Sequence, residues 1–143
     1  MDTNQGTWWI FALGSAVFAA LTTIFAKIGL QNVNSDLATA VRTVVILVLA
    51  WGIVIARGET GGLAQLNSTT IVFLVLSGLA TGASWLLYFH ALQLGNASLV
   101  AGVDKLSLVL IVIFSVFILG EPLTWKVVVG TGMITIGTLV LIR

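Results

Sequence analysis

The chain has no cysteine, one proline and one histidine in 143 residues, and its charge is confined to six Lys or Arg and five Asp or Glu. Without cysteine there is no disulfide, no thiolate-bound zinc, no thiol nucleophile and no redox switch. Charged residues make up 8% of the chain, about a third of the share in a soluble domain, while 59% is hydrophobic. The mean hydropathy is +1.15. Lipid is therefore the expected solvent. A net charge of +1 with scattered lysines and arginines leaves no basic field to gather nucleic acid. One histidine, no cysteine and no pair of acids inside the apolar runs leave the usual catalytic sets unassembled. Neither an enzyme nor a cofactor is expected. The opening MDTNQGTWW lacks a positive n-region, and the apolar run behind it is longer than a signal core, so it reads as a retained first span.

What is present is five apolar runs, each near the roughly 20 residues that cross a bilayer as a helix. They cover residues 8–30, 36–56, 70–93, 97–119 and 124–142. No segment alternates polar and apolar residues, and backbone groups in lipid must be satisfied within helices or a closed barrel. The expected fold is all-α, a polytopic membrane protein with one domain over residues 1–143. Trp8 and Trp9 suit the headgroup level, and Ser35 or Asp36 is placed to cap the second span. The longest loop is RGETGGLAQLN, residues 57–67. Gly95-Asn96 and Gly120-Glu121-Pro122 supply the later turns. Five spans put the termini on opposite sides. The N-terminal side carries Arg57 and Lys126, the other Lys27 and Arg143 with Arg42 as a possible third. Orientation follows the excess of Lys and Arg on the cytoplasmic side, and here that bias is close to nil. Insertion both ways, with two copies pairing antiparallel, would rebuild the inverted repeat that many transporters carry in one chain.

Arg42, Asp104 and Lys105 fall inside spans, where a charge costs a few kcal/mol unless it meets a partner or a wet cavity. At 1.5 Å per residue, Arg42 lies roughly 9 Å and Asp104 roughly 10 Å below the same side, with Lys27 roughly 5 Å in. Because successive residues point about 100° apart, Asp104 is aimed at Arg42 and Lys105 at a cavity or a second subunit. Three cations, Lys27, Arg42 and Lys105, against one carboxylate suit a carboxylate or phosphate cargo. Ser77, Thr81, Ser84 and Tyr88 share one face of the third span. Ala16, Ala20, Thr23 and Lys27 share one on the first, and Ser35, Thr39 and Arg42 one on the second. Trp85, Tyr88 and Phe89 would wall an organic cargo. The competing reading is structural: hydroxyls in membrane helices commonly bond their own backbone, Lys27 can snorkel, and Arg42 with Asp104 can be a packing pair. Gly130, Gly132 and Gly137, and Gly78 with Gly82, allow another backbone to come close.

In order along the chain, these residues resemble one repeat of the EamA family in the drug/metabolite transporter superfamily. The resemblance is carried by Phe18 to Lys27, by Arg42 in LATAVRTVV, by YFHALQLGNASLVA (88–101), by ILGEPLTW (118–125) and by Gly130 and Gly137. Within the family, the chain is similar to the single-repeat, five-helix branch. That resemblance implies an alternating-access exporter or exchanger of a small organic metabolite or drug in the inner membrane. It also implies a homodimer, antiparallel as in the four-helix small multidrug resistance proteins, joined through Gly130 and Gly137. Many members carry a proline in the fourth span where this chain has Val103-Asp104-Lys105-Leu106, so their cargo does not transfer. The first span here holds no acid, which removes the usual proton-coupling position. The expected cargo-binding set is Arg42, Asp104 and Lys105, with Thr23, Lys27, Ser84, Trp85 and Tyr88 as lining. A lipid-linked-sugar flippase and a non-transporting membrane subunit are the alternatives.

Overall fold

In a computed structural model of the chain, residues 7–143 are described; the opening six, on which part of the signal-peptide reading falls, lie outside them. Every regular element among the described residues is helical. The elements are α1 (Trp8–Gly29), α2 (Ser35–Ala56), a 3-10 helix (Glu59–Gln65), α3 (Ser68–Leu94), α4 (Ala97–Asp104), α5 (Ser107–Phe114), a π-turn (Ser115–Leu119) and α6 (Trp125–Ile142). With α4, α5 and the π-turn taken as one span, five helices among the described residues are long and apolar enough to cross a membrane, matching the five expected runs.

Helix ends show where the local chemistry differs from expectation. The cap of α2 is neither Ser35 nor Asp36 but Asn34, whose Oδ1 accepts the amides of Asp36 at 2.8 Å and Leu37 at 3.4 Å. Asn34 has the extended backbone of a cap, φ −60° and ψ 135°, which frees its short amide to turn back onto the first turn. Ser35 is instead buried inside the helix. Asn67 does the same for α3 as Asn34 does for α2, accepting from Thr70 N at 2.7 Å. The loop after α2 is less irregular than its glycines imply. Gly58 takes φ 68°, a left-handed value that suits glycine, and a 3-10 helix follows it. Gly120 likewise ends the fourth span at φ 69°, and the Glu121 amide reaches back to Ser115 O at 3.1 Å.

The chain divides into two compact units, one of Phe25–Gln93 and one of Met1–Ile24 with Leu94–Arg143. In the first, the small core is Leu30, Phe89 and Leu92, with Ser35 and Thr39 buried beside α2's start. Lys27 Nζ donates to Leu92 O at 2.5 Å and Gln93 Nε2 to Val33 O at 2.6 Å. Both bonds tie the end of α3 to the α1–α2 corner. In the second unit α6 packs on α4 and α5. The close approach there is at Gly102, where an added Cβ would stand 2.8 Å from Leu141 Cδ1. Among the described residues, nothing comes within 4 Å of a Cβ built at Gly130, Gly137, Gly78 or Gly82. The buried Thr138 hydroxyl also donates to Gly102 O at 3.1 Å.

Other hydroxyls stay local. Thr23, Thr39, Thr43, Thr81 and Thr135 each donate to the carbonyl four residues back, at 2.8 to 3.1 Å. Thr138, by contrast, uses its hydroxyl to join two helices. Replacing Thr138 by Val should lower stability by about 0.6 to 1 kcal/mol. Gly102→Leu, which overfills the α4–α6 contact, should lower it by about 1 to 3 kcal/mol. Steric-trap or detergent unfolding of the purified variants measures both.

Candidate functional site

The fourth span breaks where its charges are. Helix α4 stops at Asp104 and α5 starts at Ser107. Across the gap the backbone tightens to three-residue bonds: Lys105 N to Gly102 O at 3.1 Å, Leu106 N to Val103 O at 2.9 Å, Leu108 N to Lys105 O and Val109 N to Leu106 O, both at 3.0 Å. A short 3-10 stretch inside a helix marks a hinge or a strained site, and here no proline explains it. Lys105 Nζ lies 3.7 Å from Asp104 Oδ2, with the side chains 63% and 42% exposed. The expected spacing of 100° does not keep these neighbours apart, because the tightened turn and a long lysine stem let them meet. The pair therefore cancels its own charge at an open position within a span.

In the other unit, Arg42 on α2 faces α3. Its guanidinium carbon is 4.1 Å from the centroid of the Trp85 ring and 4.9 Å from that of Phe89. These two aromatics, one helical turn apart, form a ledge, and Tyr88 meets Phe89 edge-on with centroids 6.3 Å apart. Each desolvated cation–π contact is worth up to about 2 kcal/mol, comparable with the roughly 2.5–3.5 kcal/mol that insertion scales assign to an arginine at mid-helix. The rings thus offset most of the cost of the charge. They do not satisfy the donors: Arg42 Nη1 is buried and makes no hydrogen bond among the described residues. A guanidinium has five N–H groups and no acceptor, so a ring face leaves it still able to bind an oxyanion.

Among the other expected lining residues, Ser84 is exposed on α3 and Tyr88 is half-buried. Thr23 is half-buried on α1, with its hydroxyl bonded to Ala19 O at 3.1 Å. Lys27 holds a helix end. The last carbonyls of a helix lack intrahelical partners, and the Lys27 ammonium meets one of them at Leu92, near the end of α3, where the helix dipole also favours a cation. The structure thus brings Arg42, Trp85, Tyr88 and Phe89 together in one unit and Asp104 with Lys105 in the other. Phe89, an expected aromatic wall but not one of the binding set, has a signal in the sequence: α2 begins and α3 ends on one side, so Arg42, Trp85 and Phe89 lie roughly 8 to 14 Å along from those ends. A cavity of about 520 Å³ under the 3-10 helix, lined by residues including Trp51, Glu59 and Leu63, sits toward the opposite end of α2 from Arg42.

Known proteins bear on this arrangement. The EamA-like transporter family matches residues 6–143. The chain belongs to that family. It is 51% identical over 135 residues to a Sinorhizobium sp protein named as an uncharacterized transporter in the cobO 3' region, covering 94% of this chain and 96% of that one. No solved structure matches. Its five spans make the EamA protein a multi-pass membrane protein, and its family and relative point to a transporter rather than an enzyme. Lys27→Met should cost about 1.5 to 3 kcal/mol of stability, the range for a hydrogen bond from a charged group. Thermal melting of this EamA protein in detergent measures the loss, and an unchanged melting point would remove the capping role.

Proposed function

We propose that this EamA protein carries a small organic metabolite across the cell (inner) membrane by alternating access, as a homodimer of antiparallel copies. The observation that carries the reading is the interrupted fourth span with its ion pair. Irregular backbone at membrane depth is tolerated where it lines a cavity or is buried in protein, and carriers build their sites from such discontinuous helices. Asp104 and Lys105 at the break and Arg42 on its aromatic ledge are the binding groups. Thr23, Ser84, Trp85 and Tyr88 line the route.

Three features support pairing of two copies. The basic residues are balanced between the two sides, so neither orientation is favoured. Gly130 and Gly137, a heptad apart on α6, have open space before them among the described residues, which admits a second backbone. Ser84 leaves a hydroxyl of α3 exposed, which lipid solvates poorly and a shared aqueous passage solvates well.

A reporter fused to the C-terminus and active on only one side of the membrane should report both orientations, and Gly137→Leu should shift the protein toward monomer without unfolding it. A single orientation would overturn the antiparallel arrangement. The double variant Asp104→Asn with Lys105→Gln, which removes both members of the ion pair together, should express and melt normally yet lose solute exchange in liposomes. Loss of folding with unaltered exchange per folded molecule would instead assign these charges to packing, and no exchange by the unaltered protein would assign the chain to a non-transporting subunit.

A further inference from the structure

We propose that the Arg42–Trp85–Phe89 cluster is a carboxylate site, and that the cargo is a small organic monoanion whose apolar body lies against the half-buried rings of Trp85 and Tyr88. This deepens the transport reading above and rests on it.

The charge balance selects the anion. Both rings are neutral, so the cluster carries one positive charge, and a single carboxylate matches it. A phosphate dianion would bring an uncompensated charge into a span, where insertion is costly. The donor balance selects the same group. Nη1 is buried with no hydrogen bond among the described residues, and an unsatisfied donor is unfavourable in a water-poor site. A carboxylate accepts two parallel N–H bonds in the fork geometry of a guanidinium. The ring contacts at 4.1 and 4.9 Å hold the guanidinium in place before any ligand arrives. Little ordering entropy is then lost on binding.

The body of the ligand is set by what flanks the fork. Trp85 and Tyr88 are half-buried and offer aromatic surface beside the fork, while Phe89, 2% exposed, backs the guanidinium from the core side. A cationic headgroup at this point would meet the guanidinium with like charge. Trp85 and Phe89, the two rings on which the guanidinium rests, carry no carboxylate. The site therefore discriminates against hydrophobic cations, the opposite choice from a cation-extruding pump.

The test uses the intact protein in phosphatidylcholine nanodiscs, with radiolabelled benzoate as probe. Benzoate should bind saturably, acetate and indole-3-acetate should compete, and neutral benzamide and cationic benzylamine should not. Arg42→Lys keeps the charge but loses the fork, and should weaken benzoate by about ten-fold or more. Should that variant fail to fold, the benzoate-against-benzamide comparison on the unaltered protein decides alone. Equal competition by benzamide, binding of benzylamine, or no binding of any of the three carboxylates overturns the proposal. So does displacement of benzoate when phosphatidylglycerol replaces phosphatidylcholine, which would assign the site to a lipid headgroup. Benzoate bound but never moved in counterflow liposomes would sustain the site and remove the transport reading. Movement of a labelled sugar or dye with no carboxylate binding would do the reverse.

Discussion

A guanidinium held against two aromatic rings inside a membrane span is the interaction on which the rest of the chain's chemistry turns. Hydrocarbon offers neither counter-charge nor acceptor, so each ionised group in a span must find its compensation locally. Arg42 finds charge compensation on Trp85 and Phe89 and leaves donor capacity over. Asp104 and Lys105 compensate each other at a place where the helix itself is interrupted. Lys27 is absorbed by the helix end at Leu92. The ionised groups of the spans thus have separate roles. One holds a helix end, two neutralise each other at a break, and one remains able to bind an anion.

The fold around them is lean. Few side chains are buried in either unit, and five threonines of the spans satisfy their hydroxyls on their own backbone. A membrane permits that sparseness, since apolar surface loses nothing by facing lipid and helices associate through close packing and occasional hydrogen bonds. Thr138 to Gly102 is such a bond, and Leu141 against Gly102 is such a contact. Most of the apolar surface is therefore left for lipid, and the glycines of α6 other than Gly132, which is half-buried, stand open.

Much of this was legible in the residues. Spans are set by length and apolarity alone, so the ends of all five fall within a residue or two of expectation. The family was readable from an ordered set of short motifs running through all five spans. Finer features depended on competition between neighbours. Asn34 takes the cap of α2 from Ser35 and Asp36 because its backbone stays extended at that corner while theirs is already helical. The interruption at 105–106 has no proline or glycine at the break to announce it. The charge on Arg42 could be placed by depth, but its aromatic partners required knowing which faces of α2 and α3 meet. Small residues suit close approach, and among the described residues Gly102, two residues before Asp104, makes one with Leu141, a role its sequence surroundings do not announce.

A passage for a charged cargo requires that the polar face of α3 beside Arg42 meet water within the span. The absence of cysteine makes this directly measurable, because a single introduced thiol is the only one in the chain. Ser84→Cys and Leu86→Cys, both at exposed positions of α3, stand at nearly the same depth and about 200° apart around the helix. Both should be treated in liposomes with a membrane-impermeant maleimide. Rapid labelling is expected at position 84 and little at 86, on the lipid side. Equal protection of both positions would mean that no aqueous passage reaches Arg42, and would contradict transport by this route.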